Sequence, residues 1–173
     1  MGKCRYLLDQ QALLILYYSL ILPYLSYCTE IWGNTYSSHL ETVFKLQKKA
    51  IRIVHNVDFR DHTNTLFIKS NLLKLEDLIK LKVLLIVFKA RANQLPSNIQ
   101  QLFTNREGGY NLRGTLHFKV QCVRTTLRSQ CVTRRGVNLW NDLKDELKSA
   151  VNLHQFKKQY KISILTQYVK CNH

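Results

Sequence analysis

The sequence predicts a mainly α-helical protein. A helical bundle covers residues 1–103, and a basic segment with short strands and two helices covers residues 104–173. Three observations predict it. Apolar residues recur at three- and four-residue spacing through the first hundred positions. Capping and dipole-matched residues stand where those patterns start and stop. After Phe103 the glycines gather and a partial alternation of β-branched residues begins.

Residues 10–30 read as one helix, bent where Pro23 removes a backbone donor. Gly33 and Asn34 make a turn, and Ser37 or Ser38 can cap a second helix that runs to about Asn56. That helix carries "FKLQKKAIRIVHN", with four cations and no anion. At about 100° per residue, Val43, Leu46, Ala50, Ile53, Val54 and Val57 fall on one side, and Lys45, Lys48, Lys49 and Arg52 on the other. The stripe packs on a core, and the row is a single-sign face whose self-repulsion a polyanion would relieve. The plainer alternative is a solvated basic face without a partner. "DFRDHTN" is a polar turn, where Asp58, Asp61 and His62 suit backbone bonding better than acid–base chemistry. A short helix over 65–70 follows. A long one over 75–92 has Glu76 and Asp77 at its positive end, Lys89 and Arg91 at its negative end, and Pro96 beyond. Its middle, "VLLIVF", is apolar all round, which predicts a central, enclosed helix.

Residues 104–115 contain three of the six glycines and read as turns. Residues 116–133 predict short strands or an irregular ribbon. A helix restarts near Val137 with Trp140 on its packed side. The last helix has a reciprocal cap from Asn152 and Gln155 and an apolar stripe of Leu153, Phe156, Tyr160 and Ile164.

The apolar fraction of 46% is ordinary, but the net charge of +15 is not. Such a surplus points to nucleic acid or an anionic membrane surface. The run Ala12–Cys28 is barely long enough to span a bilayer. With Pro23, two serines and four tyrosines it reads as a buried core helix, so a membrane partner is not expected. Five cysteines without a C-x-x-C predict a reduced chain inside the cell, in nucleus or cytoplasm, with no metal site and no cofactor.

No nucleophile or metalloprotease motif occurs, and no Asp-Asp pair stands ready for the two-metal chemistry of a polymerase or nuclease, so no catalytic residue is assigned. The basic residues are better supported. Arg106, Arg113, Lys119, Arg124, Arg128, Arg134 and Arg135 face only Glu107, with Thr125, Thr126, Ser129 and Thr133 interleaved. The guanidinium fork suits phosphate oxygens, and hydroxyls can donate to them too. The alternative is an idle basic loop. Trp140, Phe156 and Tyr160 could stack on bases, but their helical spacing predicts core.

"LYYSLILPYLSYCTEIWGNTY", followed by "LETVFKLQKKAIRIVHN", resembles the region just after the polymerase palm in reverse transcriptases of LINE-type non-LTR retrotransposons, the jockey and Rex kind especially. The tail "VRTTLRSQCVTRRGVNLWNDLKDELKSAVNLHQFKKQYK" resembles the end of the same reading frame. The resemblance implies that the helices form a thumb that grips a template–primer duplex, with Lys45, Lys48, Lys49 and Arg52 facing it. The family's aromatic–x–Asp–Asp signature is missing, since no Asp-Asp pair occurs. The resemblance therefore implies a non-catalytic remnant of an RNA-directed DNA polymerase from a truncated element. It would bind RNA, DNA or their hybrid regardless of sequence, or act beside a separately supplied palm. The alternatives are a membrane-surface or protein-interaction helical module, and a fragment without function.

Overall fold

The computed structural model describes residues 5–105 and 118–170. These are mainly helical, as the periodicity predicts. The chain divides into two compact units, Met1–Leu78 with Lys161–His173, and Ile79–Tyr160.

In the first unit, the single opening helix expected over 10–30 is broken. It becomes α1 (Gln10–Leu16), a π-helical turn (Tyr17–Ile21), α2 (Leu22–Ser26) and α3 (Thr29–Trp32). The Asp9 carboxylate caps α1 by accepting from Ala12 N at 2.9 Å. Pro23 has no N–H to offer the carbonyl four residues back, and the wider turn before it absorbs the mismatch. Cys28 takes a left-handed conformation, φ 47°, between α2 and α3. The run is not a buried core helix. Leu13, Tyr17, Leu25 and Thr29 form one buried line, while Ile15, Leu20, Tyr24 and Tyr27 on other sides face solvent.

Next come α4 (Ser37–Val54), α5 (Asn64–Lys69) and α6 (Leu75–Arg91). No side chain caps α4; Ser37 lies inside it and Tyr36 precedes it in extended conformation. α6 is the enclosed helix expected: Leu75, Ile79, Val83 and Val87 along its length are each at most 1% exposed. The core of the first unit joins Leu13 and Tyr17 to Ile51 and Val54 of α4 and Leu66 and Phe67 of α5. Gln47 is buried among them. Its Nε2 donates to Tyr17 Oη (3.2 Å) and the Leu73 carbonyl (3.1 Å), and its Oε1 accepts from Leu75 N (2.9 Å). From the C-terminal part of the chain, Tyr168 accepts from Lys74 N at 3.1 Å and donates to the Asp77 carboxylate.

The second unit takes α6 from Ile79 on, then α7 (Ser97–Gln100), α8 (Thr126–Ser129), α9 (Val132–Asn141), α10 (Asp145–Lys148) and the start of α11 (Leu153–Lys170), up to Tyr160. Here the expectation of short strands fails. Among the described residues the only β pairing is one isolated antiparallel bridge, Asn105 to Phe118. Residues 118–125 take the other expected form, irregular chain, and two local effects stand where strands would pair. The Asn141 side chain accepts from Phe118 N (3.1 Å) and donates to Phe118 O (3.0 Å), taking the place of a neighbouring strand. Thr125 caps α8 through its hydroxyl, and α9 begins at Val132 rather than near Val137. The expected turns over 106–115 lie outside the described residues.

Trp140, Phe156 and Tyr160 are core, as their spacing predicts. Phe88 and Phe156 meet at a tilt with centroids 5.1 Å apart, Trp140 lies 5.9 Å from Phe156, and Phe118 lies 6.4 Å from Trp140. Gly136 lets α9 approach α6: a Cβ there would meet Val87 Cγ2 at 2.8 Å. Lys148 is 1% exposed; its ammonium donates to the Asn141 carbonyl at the end of α9 (3.1 Å) and to Asp145 (3.3 Å). The cap of α11 forms with Asn152 Oδ1 accepting from Gln155 N (2.8 Å) as expected, while Gln155 Oε1 accepts from Val151 N (3.3 Å), one residue before the cap.

Candidate nucleic-acid interface

On α4 the buried line runs through Gln47, Ala50, Ile51 and Val54. The apolar stripe read from the sequence is therefore rotated: Leu46 is 62% exposed, while Gln47 and Ile51 are fully enclosed. The rotation leaves Lys45, Lys49 and Arg52 on the side opposite the core, with Lys48 at its edge. Lys45 and Lys49 are exposed, and Lys48 and Arg52 are half-buried. One acid joins the row. Glu41 pairs with Lys45 at 2.9 Å, both side chains well exposed. That hydrogen bond, and the charges of Lys45 and then Lys48, hold the Glu41 carboxyl below its ordinary pKa.

Lys48 lies 4.6 Å from the Phe44 ring centroid. Arg52 is fixed by two bonds, Nε (3.0 Å) and Nη2 (2.9 Å), both to the Asp61 carbonyl, and its guanidinium lies 5.7 Å from the centroid of Phe59. The turn that holds Phe59 is closed by its own acids. Asp61 Oδ2 accepts from Asp58 N (2.9 Å), and Asp58 Oδ1 accepts from Phe59 N (2.5 Å). These carboxylates are turn-formers, as their spacing implies. Phe59 itself is 74% exposed. No pattern in the sequence marks it, because a lone aromatic in a polar turn has no periodic neighbours.

His55 ends α4. Its Nε2 lies 2.6 Å from Ser70 Oγ and its Nδ1 2.9 Å from Gln10 Nε2, which ties the cationic helix to α1 and to the end of α5. Burial, and then the charge of Lys69, push its pKa below the ordinary value.

The second basic group lies in the other unit. Arg106 and Arg113 fall outside the described residues. Arg124 and Arg128 are exposed, the latter on α8. Arg134 and Arg135 are half-buried in the first turn of α9, and Arg134 donates to the Gln121 carbonyl. That helix end has no acid in its first turn and no side-chain cap, so two cations stand at the positive end of a helix dipole. Arg128, Arg134 and Arg135 lie on helices rather than along the extended track expected.

No protein-family model, curated protein or solved structure matches the chain.

Among the described residues there is no cluster of metal-ligating side chains, and no helix is long and apolar enough to cross a membrane. Cys28, Cys122 and Cys131 are free thiols.

Proposed function

We propose that this chain binds nucleic acid through backbone phosphates without a catalytic step of its own, in the manner of the thumb-like helical domain of a non-LTR retrotransposon reverse transcriptase. One observation carries the reading: Lys45, Lys49 and Arg52 stand on the solvent face of α4, opposite its buried line, and Glu41 is the only acid of the helix. The charge of +15 and the exposed Arg124 and Arg128 support it. Phosphates would displace the exposed Glu41 pair at little cost, since such pairs contribute little in water. Neutralisation releases counterions, so binding is steeply salt-dependent and indifferent to sequence. Affinity for an RNA–DNA hybrid across a salt series tests it, with the wild-type chain beside one carrying Gln at positions 45, 48, 49 and 52. An unchanged salt slope removes α4 from the site.

A second reading is a protein-interaction module. The exposed Ile15, Leu20, Tyr24, Tyr27 and Ile31 favour it. Primer extension with an added polymerase palm tests one such partner, and flotation with anionic liposomes separates a lipid surface from a protein.

A further inference from the structure

We propose that Phe59 is a stacking platform for an unpaired base, so that this site takes a single strand, or the overhang of a duplex, in preference to a blunt duplex. The inference rests on the phosphate-backbone reading and names the strand it selects. Single exposed apolar residues are common and need no explanation. Phe59 differs because it is held. Asp58 and Asp61 close its turn through backbone N–H groups, and the Arg52 guanidinium covers one region of the ring at 5.7 Å. The rest of the ring is open, at 74% exposure.

Arg52 has five N–H groups and gives two to the Asp61 carbonyl, which leaves three for a phosphate oxygen. Lys49 and Lys45 continue from it along α4, each step about one turn or ~5 Å of axis. The cations would follow a backbone, and at its end the ring would meet whatever base leaves the stack. The two carboxylates of the turn repel phosphate and do not repel a base, so base and backbone are sorted to different places. Stacking on an aromatic is indifferent to base identity because every base has a π-face, which agrees with non-specific binding. In a blunt duplex the bases are paired and stacked on each other, and the ring has nothing to receive.

The test is fluorescence anisotropy with three ligands of equal length: a single-stranded oligonucleotide, the same strand without bases, and a blunt duplex. Phe59→Ala is expected to weaken the single strand about 5- to 150-fold, the range set by one base on one ring. Duplex affinity and both salt slopes should stay as they were. Phe59→Trp should restore single-strand binding, and Phe59→Leu, which keeps bulk without a π-face, should not. Equal losses on strand and duplex, no loss, or an abasic strand that binds as tightly as the natural one overturns the proposal. Failure to bind any of the three overturns the phosphate reading as well, so the two failures are distinguishable.

Discussion

Two adjoining stretches of the first unit present opposite surfaces. Residues 7–36 contain Asp9 and Glu30 and not one Lys or Arg, in a chain with 26 of them. They leave Ile15, Leu20, Tyr24, Tyr27 and Ile31 more than half exposed. α4, which follows at once, turns Lys45, Lys49 and Arg52 outward and encloses its apolar line. Segregation on this scale means that the cations are not spread simply to keep the chain in solution. A polyanion that finds α4 attractive finds nothing to hold on α1–α3.

The largest expected effect breaks the contrast from its charged side. Exchanging Lys45, Lys48, Lys49 and Arg52 for Gln should weaken nucleic-acid affinity on the order of 10²-fold or more at 0.1 M salt and flatten log K against log salt by about three to four. Thermal unfolding should fall modestly, because Arg52 gives up its two bonds to the Asp61 carbonyl, while Lys45 and Lys49 point away from the core. The next effect is on stability. Gln47→Leu removes the amide whose bonds reach Tyr17, Leu73 and Leu75. Stranding buried partners in this way costs about 2–4 kcal/mol, which urea unfolding would register. A control in the other unit is Gly136→Ala. Its added methyl meets Val87 and Val83, and about 1–3 kcal/mol should be lost without any change of salt slope.

Smaller still is the pH effect. His55 has a folded pKa below its unfolded value, so the unfolded chain takes up the proton first. The stability that neutral His55 contributes is whole above its unfolded pKa of about 6.5 and is lost as pH falls through the folded one. The unfolding midpoint should therefore drop between neutral and mildly acid pH, and His55→Gln should remove that part of the drop. Smallest of all, Tyr24→Ser with Ile31→Ser should change nucleic-acid affinity less than about twofold, since the stretch that carries both residues contains no Lys or Arg to bind phosphate. A larger loss would mean that the uncharged surface belongs to the binding site and that the contrast is not functional.

The helical class and the enclosure of α6 were legible because a run such as "VLLIVF" leaves no polar side to expose. The cap at Asn152 and Gln155 was legible because it is local chemistry. The cationic row of α4 was also readable, but the phase of its core side was not. Gln47 is polar by composition and buried by virtue of three bonds to residues distant in sequence, and no periodicity registers that. The strands expected over 116–133 failed for a similar reason. Alternation describes a backbone that wants a neighbour without saying which neighbour, and Asn141 served Phe118 instead. Phe59 was invisible because its setting depends on Arg52 reaching across to the turn.

One uncharged residue decides where the charged ones point. Because Gln47 is engaged by Tyr17 on one side and by Leu73 and Leu75 on another stretch, α4 cannot turn about its own axis without breaking all three bonds, and it works like a key that locks a shaft. The outward positions are then free to be rewritten. An engineer could replace the lysines with acids or aromatics and expect the helix to offer them in the same direction, provided that the amide stays in its lock.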